Sequence, residues 1–461
     1  MNFDSIIIGA GISGLSIAYY LKKAGQNILL LEASERVGGV IQSLDADGFL
    51  LERGPNSLRG THELLDLVDD LQLQDELVAA YPKAPAFVYF QKSLHPVPMS
   101  PPALIKTKLL STKAKFRLLR EPFIAARKGT SEESLDSFVR RRLGDEILER
   151  FVAPFVSGVY AGDPKQLSIQ ASFARLAEFE MQAGSILKGA IKAARAAKSK
   201  HEPPKRSLRP YRLCSFQKGL ETLPQAMAKS LGESLVTGAC NIELSRISDF
   251  QFQVNYEHQN QRETVTTRTL IVATPASAAS QMLDRFAPEI TKHLAEIHST
   301  KLCAVPLAYR IDQLPHPLDG FGFLAPRDQG LRTLGSIWNS SLFPHRAPEG
   351  WVVMNNFIGG ETDREAINLS DDELITIVHR DLQTVLGIKG EPKRLPITRW
   401  QRAIPQYNLG HAARIAAIEK ELSQHEGLWL TGNYLHGVAI GDCLKRGKDL
   451  TEEIVEWMSK H

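Results

Sequence analysis

A short apolar run, Ser5-Ile6-Ile7-Ile8, enters Gly9-Ala10-Gly11-Ile12-Ser13-Gly14; a helix-forming stretch follows from Leu15 to Lys23, and a second apolar run, Asn27 to Leu31, ends on Glu32. Strand, glycine turn, helix, strand and acid in that order predict a nucleotide-binding βαβ unit. The three glycines have separate jobs: Gly9 makes the tight turn, Gly11 lets backbone approach a pyrophosphate, and Gly14 lets helix and strand pack closely. A phosphate is favoured at the helix N-terminus, where unpaired N–H groups and the dipole attract negative charge. Glu32 lies 18 residues beyond Gly14, placed to accept hydrogen bonds from ribose hydroxyls, with Ala33 beside it. An adenosine diphosphate group is implied. A plain Gly-rich turn is the alternative, and the ordered sequel argues against it.

The rest of the chain sets bounds on its class. Its 461 residues are enough for roughly three domains or an interleaved set. A net charge of +3 is nearly balanced and gives no general sign of nucleic-acid binding. Cys214, Cys240, Cys303 and Cys443 form no Cys-x-x-Cys pair and no metal spacing. Buried thiols in a reducing compartment, and no metal, are therefore expected. The first strand begins almost at Met1, which leaves no room for a targeting peptide, and no apolar run reaches transmembrane length. A cytoplasmic protein, soluble or peripheral on the cytoplasmic face of the membrane, is the expectation.

Gly48 to Asn56 reads as a strand ending in a Gly54-Pro55 turn, and Thr61 to Leu71 as a helix. Residues 86–90 and 94–98 read as a hairpin broken by prolines. Thr269 to Thr274 is a buried-strand run stopped by Pro275, and strands recur between 300 and 400, among them 320–324 and 351–357. The chain closes with strand 428–431, the loop Gly432-Asn433, then Gly437-Val438-Ala439-Ile440 opening a helix to Lys460. Such a helix start aims N–H groups and positive dipole at its neighbour.

The run Glu32-Ala33-Ser34-Glu35-Arg36-Val37-Gly38-Gly39 resembles the second nucleotide-contacting element of the amine-oxidase-like FAD superfamily. In that resemblance Arg36 neutralises diphosphate charge and the glycine pair, with Val40, clears space for the cofactor. Further runs are more particular: Glu52-Arg53-Gly54-Pro55, Phe155 to Asp163 (Phe-Val-Ser-Gly-Val-Tyr-Ala-Gly-Asp), Gly219 to Pro224, Ile404-Pro405-Gln406-Tyr407, and Thr431 to Tyr434 with Gly437 to Ile440. Together these resemble the oxygen-dependent protoporphyrinogen oxidase family over nearly the full length.

The resemblance implies an α/β fold, α+β overall, of the amine-oxidase/GDI type. It has a Rossmann-like FAD-binding domain (1–80, 213–300 and 400–461), a mixed-sheet substrate-binding domain (81–100 and 301–399) and a helical, basic, membrane-associating domain (101–212). It implies noncovalent FAD held also by Gly54, Pro55, Asn56, Ser57, Asn241, Ile242, Thr274, Gly432, Asn433, Val438, Ala439 and Ile440, with the C-terminal helix start stabilising the reduced flavin. The reaction implied is removal of six electrons from protoporphyrinogen IX in three hydride transfers, with dioxygen reduced to peroxide. The catalytic chemistry is then the flavin's. The family's apolar clamp on the macrocycle falls on Phe321, Gly322, Leu324, Ile337 and Phe357, with Phe155 from the helical part. Product hand-over to ferrochelatase and a homodimer are further partner expectations, and nucleic acid is not one.

Two positions depart from the family pattern. Relatives carry a propionate-pairing arginine where this chain has Ala86, and another arginine where it has Asn56. Lys83, Lys92, Arg175, Asn56 and backbone N–H groups stay open as replacements. Basic residues concentrate between Leu104 and Lys128 and between Met181 and Arg212, interleaved with apolar ones at helical spacing. That pattern points to an anionic membrane surface. The rival functions are coproporphyrinogen III oxidation to coproporphyrin III, an amine oxidase or desaturase, and a flavin-free carrier. A cysteine tether for flavin has no candidate between Cys303 and Cys443.

Overall fold

In the opening strand Asn2–Ile8, Ile6, Ile7 and Ile8 are all buried, and successive side chains enter different cores. A strand that is apolar on both faces belongs in the middle of a parallel sheet covered on both sides. It runs parallel to Ile28–Leu31 on one side and to Gln261–Val272 on the other. Leu235–Val236 extends the sheet beyond Ile28–Leu31, and Leu428–Leu430 lies parallel to the end of Gln261–Val272. The hairpin strands Gln251–His258 and Cys240–Ser248 complete seven strands. The molecule is a computed structural model that describes residues 1–81, 84–127, 129, 131–199 and 213–461. Lys83, Lys128 and the basic residues of 200–212 lie outside the described residues.

The two ends of the chain meet on one face of this sheet. The helices Ile12–Lys23 and Ile440–Lys460 pack together, and the Ser16 hydroxyl donates to the Leu444 carbonyl at 3.3 Å. Contact is so close at Gly447 that a Cβ there would lie 2.2 Å from Ser16 Oγ.

The second sheet has eight strands. Its order is Lys393–Arg394, Leu302–Arg310, Trp351–Gly359, Gly335–Ile337, Gly322–Leu324, Ala86–Phe90, Ser93–Pro96, with Thr398–Trp400 also on Leu302–Arg310. The strand period of two divides its residues. Val305, Leu307, Phe323 and Met354 pack beneath the helix Asp371–Leu386 through Leu374, Val378 and Leu382. The alternate residues occupy the other face, turned towards the first sheet and the helical insert.

That insert runs through helices between Pro101 and Ser199, with π-helical turns at Leu148–Val152 and Val156–Tyr160. Phe138, Val139, Leu148 and Val156 centre its own small core. Arg142 and Glu121, both buried, pair inside it, and Glu121 also accepts from the Ser185 hydroxyl and the Ile186 and Leu187 N–H groups. No described helix is long and apolar enough to cross a membrane. One cysteine departs from expectation: Cys240 is exposed, because it opens an edge strand of the first sheet, whereas the other three are buried.

Candidate functional site

The parallel strands of the first sheet all end on one edge, where a ligand of an open α/β sheet is bound. Gly9 follows the first strand, Glu32 the second, Thr274 the strand Gln261–Val272, and Gly432 the strand Leu428–Leu430. Gly9 takes a φ of +102°. A Cβ on Gly14 would stand 1.8 Å from the Gly9 carbonyl oxygen, so no side chain is admissible there. A Cβ on Gly11 would meet nothing within 4 Å, so it borders open space rather than protein. The N–H groups opening the helix Ile12–Lys23 have no helical partner and face that space.

The turn at Gly38 and Gly39, with φ of +96° and +58°, docks against this loop: the Gly38 N–H donates to the Ala10 carbonyl at 2.8 Å. Gly54 closes the same wall, since a Cβ there would lie 1.9 Å from the Val40 carbonyl oxygen. Glu32 accepts from the Ala10 N–H at 2.7 Å and from the Ser34 N–H and hydroxyl at 2.9 and 2.6 Å. These bonds orient the carboxylate at the strand end and leave acceptor capacity. Thr274 Oγ1 is buried without a partner beside Gly9. Open room, free N–H groups and an orphaned hydroxyl together fit an adenosine diphosphate group.

Four residues make bonds or contacts that the sequence expectation does not include. Arg36 bonds carbonyls of its own turn, which lies against the loop at Gly11. Its guanidinium donates to the Val37 carbonyl at 2.9 Å and to the Gly39 carbonyl, because the left-handed glycine pair turns those carbonyls towards it. Asn241 and Ile242 also stand apart. The Asn241 carboxamide donates to Glu257 at 2.7 Å and Ile242 packs into the core, whereas the backbone beside Glu32 is Val236 to Ala239. Asn56 is no free donor for a substrate carboxylate. Its Oδ1 accepts from Asn339 and Asn355 at 2.8 and 3.0 Å, and its Nδ2 donates to the Gly54 carbonyl. Asn56 therefore ties the Gly54 turn to Asn355 of the second sheet and to Asn339, while Pro55 and Ser57 flank it half-buried.

Strand register brings the apolar residues together on the inward face of the second sheet. Leu324, Gly335 and Phe357 form one cross-strand row, and Gly322, Ile337 and Asn355 the next. Two glycines lower the floor between larger side chains. Gly322 is obligatory, since its φ is +139° and a Cβ would lie 1.9 Å from the Ser336 carbonyl oxygen. Phe321 packs with Ile337 at the edge of this floor. Asn355 binds the Glu52 carbonyl at 2.9 Å, which docks this end of the face on the Gly54 turn. At the far end the insert arrives through Gly158, where a Cβ would meet Leu324 at 2.3 Å. Phe155 is 41 % exposed and joins Tyr160 and Phe173 in an aromatic trio, ring centroids 5.6 to 6.3 Å apart. Phe357 packs with Ala403 and Ile404, which lead to Tyr407.

The C-terminal loop completes the site. Tyr407 donates to the Asn433 carbonyl at 2.6 Å and accepts the Gly437 N–H at 2.8 Å. Val438 and Ala439 then lead into the helix Ile440–Lys460. Asp442, in its first turn, accepts the Ala439 N–H at 3.3 Å. Burial raises the Asp442 pKa, against the opposing effects of that N–H and of Arg59. A carboxylate thus sits at the helix end whose N–H groups and dipole offer positive potential. Neither Asp442 nor Tyr407 was singled out for this, although Tyr407 lies in a motif run. The signal available was the three-residue step from Ala439 to Asp442, which is capping spacing.

The comparisons agree on what such a scaffold carries. Residues 12–455 match the flavin-containing amine oxidoreductase family. The chain belongs to that family. Among relatives of this flavin-containing amine oxidoreductase, protoporphyrinogen oxidase 1 (chloroplastic) of Spinacia oleracea is 36% identical over 99% of this chain and 85% of its own length. The coproporphyrinogen III oxidase of Bacillus subtilis (strain 168) is 32% identical over 98% of each. A crystal structure from Exiguobacterium sp. 255-15, provisionally assigned as a protoporphyrinogen oxidase, superposes with a TM-score of 0.81 at 27% identity, over 98% of this chain and 99% of that one. The flavin of this amine oxidoreductase is FAD, and the Gly9 to Gly14 turn, Glu32 and Thr274 fit its adenosine diphosphate half.

Proposed function

We propose that this chain oxidises protoporphyrinogen IX to protoporphyrin IX, with dioxygen as the final acceptor. The observation that carries the reading is the inward row Leu324, Gly335, Phe357 with Ile337 beside it. This is an apolar floor with glycine-lowered centre, running from the cofactor turn at Gly54 to the insert at Gly158. A broad tetrapyrrole needs such a wall, since burying it against large side chains releases water from both surfaces. Bound FAD supplies the two-electron acceptor, and the protein places the substrate and excludes water. The names of the plant relatives support the same substrate.

Coproporphyrinogen III is the second reading, favoured by bacterial relatives of matching length that carry that name. It is a tetra-acid, and the wall offers it alanine at position 86 and an already bonded amide at Asn56. Lys92 lies in a hairpin turn and Arg175 covers the Phe179 ring at 5.4 Å, so neither is presented by the floor itself. Turnover on the two porphyrinogens, compared at equal concentration, decides between them.

The helical insert is read as a membrane-docking part. Ile105, Phe116, Leu119, Phe123 and Met181 are all exposed there, with Met99 just before it, and Lys106, Lys108, Lys113 and Lys188 lie in the same stretches. Apolar side chains among cations suit an anionic bilayer surface, at roughly 1 kcal/mol per well-placed Lys or Arg.

A further inference from the structure

Tyr407 is buried, and its hydroxyl holds both ends of one loop. It donates to the Asn433 carbonyl at 2.6 Å and accepts the Gly437 N–H at 2.8 Å. Three residues separate those two contacts, and the C-terminal helix begins at Ile440, three positions after the second. Gly437 admits no side chain, with φ +136° and a virtual Cβ 2.5 Å from the Asp442 carboxylate. The two bonds thus pin both ends of the loop to one hydroxyl.

The Tyr407 ring is fixed from the other side. It stacks on buried His411 with centroids 4.2 Å apart and planes 11° from parallel. Its own carbonyl accepts the Ser168 N–H at 2.8 Å, and the neighbouring Gln406 donates to the Tyr160 carbonyl at 2.9 Å. Burial raises the phenol's pKa well above its usual value, so the hydroxyl stays a donor throughout the working range.

We propose that Tyr407 is a positioning residue for the flavin, whose hydroxyl staples loop 433–437. It thereby fixes how the first-turn N–H groups of the helix Ile440–Lys460 meet the isoalloxazine. The inference rests on FAD occupying this loop and is independent of which substrate is oxidised. A helix N-terminus favours the form of its neighbour that carries more negative charge; Asp442 in the same turn is bonded to the Ala439 N–H and not to Tyr407, so loosening the staple changes the aim of the N–H groups and disfavours the reduced cofactor.

The test is Y407F in the FAD-loaded full chain, which deletes one oxygen and keeps the ring and the backbone bond to Ser168. FAD affinity is expected to fall about tenfold. The ratio of affinities for reduced over oxidised flavin is also expected to fall about tenfold, a drop of about 30 mV for a two-electron couple. Y309F removes another buried hydroxyl, bonded to His379 at 2.9 Å in the substrate-side core, and is expected to lower the melting temperature without moving the potential. Equal potentials for Y407F and wild type, or an equal drop in Y309F, overturn the proposal. Should Y407F not fold, hydrogen exchange in the unmodified holoenzyme decides: the Gly437 amide is expected to be strongly protected, and free exchange there overturns it. Failure of the unmodified chain to bind FAD would sink the flavin reading itself, a result distinct from either.

Discussion

Gly14 carries a stringent demand, because its neighbour across the turn is backbone and cannot move aside. Gly14→Ala is expected to cost more than about 1 kcal/mol and to abolish FAD uptake, measured by melting temperature and by flavin absorbance after desalting. Cys443 lies near Ser13 in the C-terminal helix, and burial pushes its thiol up to about 11. A neutral buried thiol is a poor partner for a covalent flavin bond. Denaturation is therefore expected to release all the flavin into the filtrate. His411 carries a pH signature: burial, with help from Arg414, depresses its pKa from 6.5 to about 4. The unfolded chain binds a proton there that the folded one refuses. Its contribution to stability is thus complete above pH 6.5 and declines as the pH falls towards 4. Urea melts across that window are expected to show the decline, and H411F to flatten it.

Among the secondary-structure elements, what the sequence makes legible is local. The turn from Gly9 to Gly14, the capped helix after Thr61 and the final strand and helix all stand where composition and spacing put them. What it hides depends on partners far along the chain. Arg36 is a local case, a residue of the right type for a phosphate contact that also bonds the Val37 and Gly39 carbonyls of its own turn. Asn56 bonds residues nearly 300 positions away, and nothing local signals that. The shared face of Leu324, Ile337 and Phe357 follows from antiparallel register, which spacing alone does not give. Phe357→Ala removes a wall residue and is expected to raise KM for the porphyrinogen about tenfold with little change in kcat. Within the insert, burial opposes ionisation of Glu121. Hydrogen bonds from Ser185, the Ile186 and Leu187 N–H groups and Arg142 prevail and lower its pKa. The stability it contributes is present above the unfolded carboxyl pKa and lost as pH falls through the folded one. Glu121→Gln removes the shorter of the two carboxylate contacts of buried Arg142 and leaves Glu180 at 3.4 Å, and is expected to cost about 1 to 3 kcal/mol in denaturant melts.

Across the whole molecule the chain's two termini build the cofactor edge, the middle builds the apolar floor, and the insert closes the end of that floor through Gly158. A macrocycle on the floor then lies between the flavin-bearing edge and a surface rich in cations and exposed apolar side chains. Co-sedimentation with anionic vesicles is expected, weakening as salt screens the attraction, with little binding to neutral vesicles. Equal binding to both vesicle types would remove the docking role from the insert. The most direct measurement is the aerobic reaction of FAD-loaded protein with protoporphyrinogen IX and, separately, coproporphyrinogen III, following porphyrin fluorescence and hydrogen peroxide together. Porphyrin and peroxide are expected to appear in step, three peroxides for each porphyrin. A folded, flavin-loaded protein that forms no porphyrin from either compound above the uncatalysed rate contradicts the account.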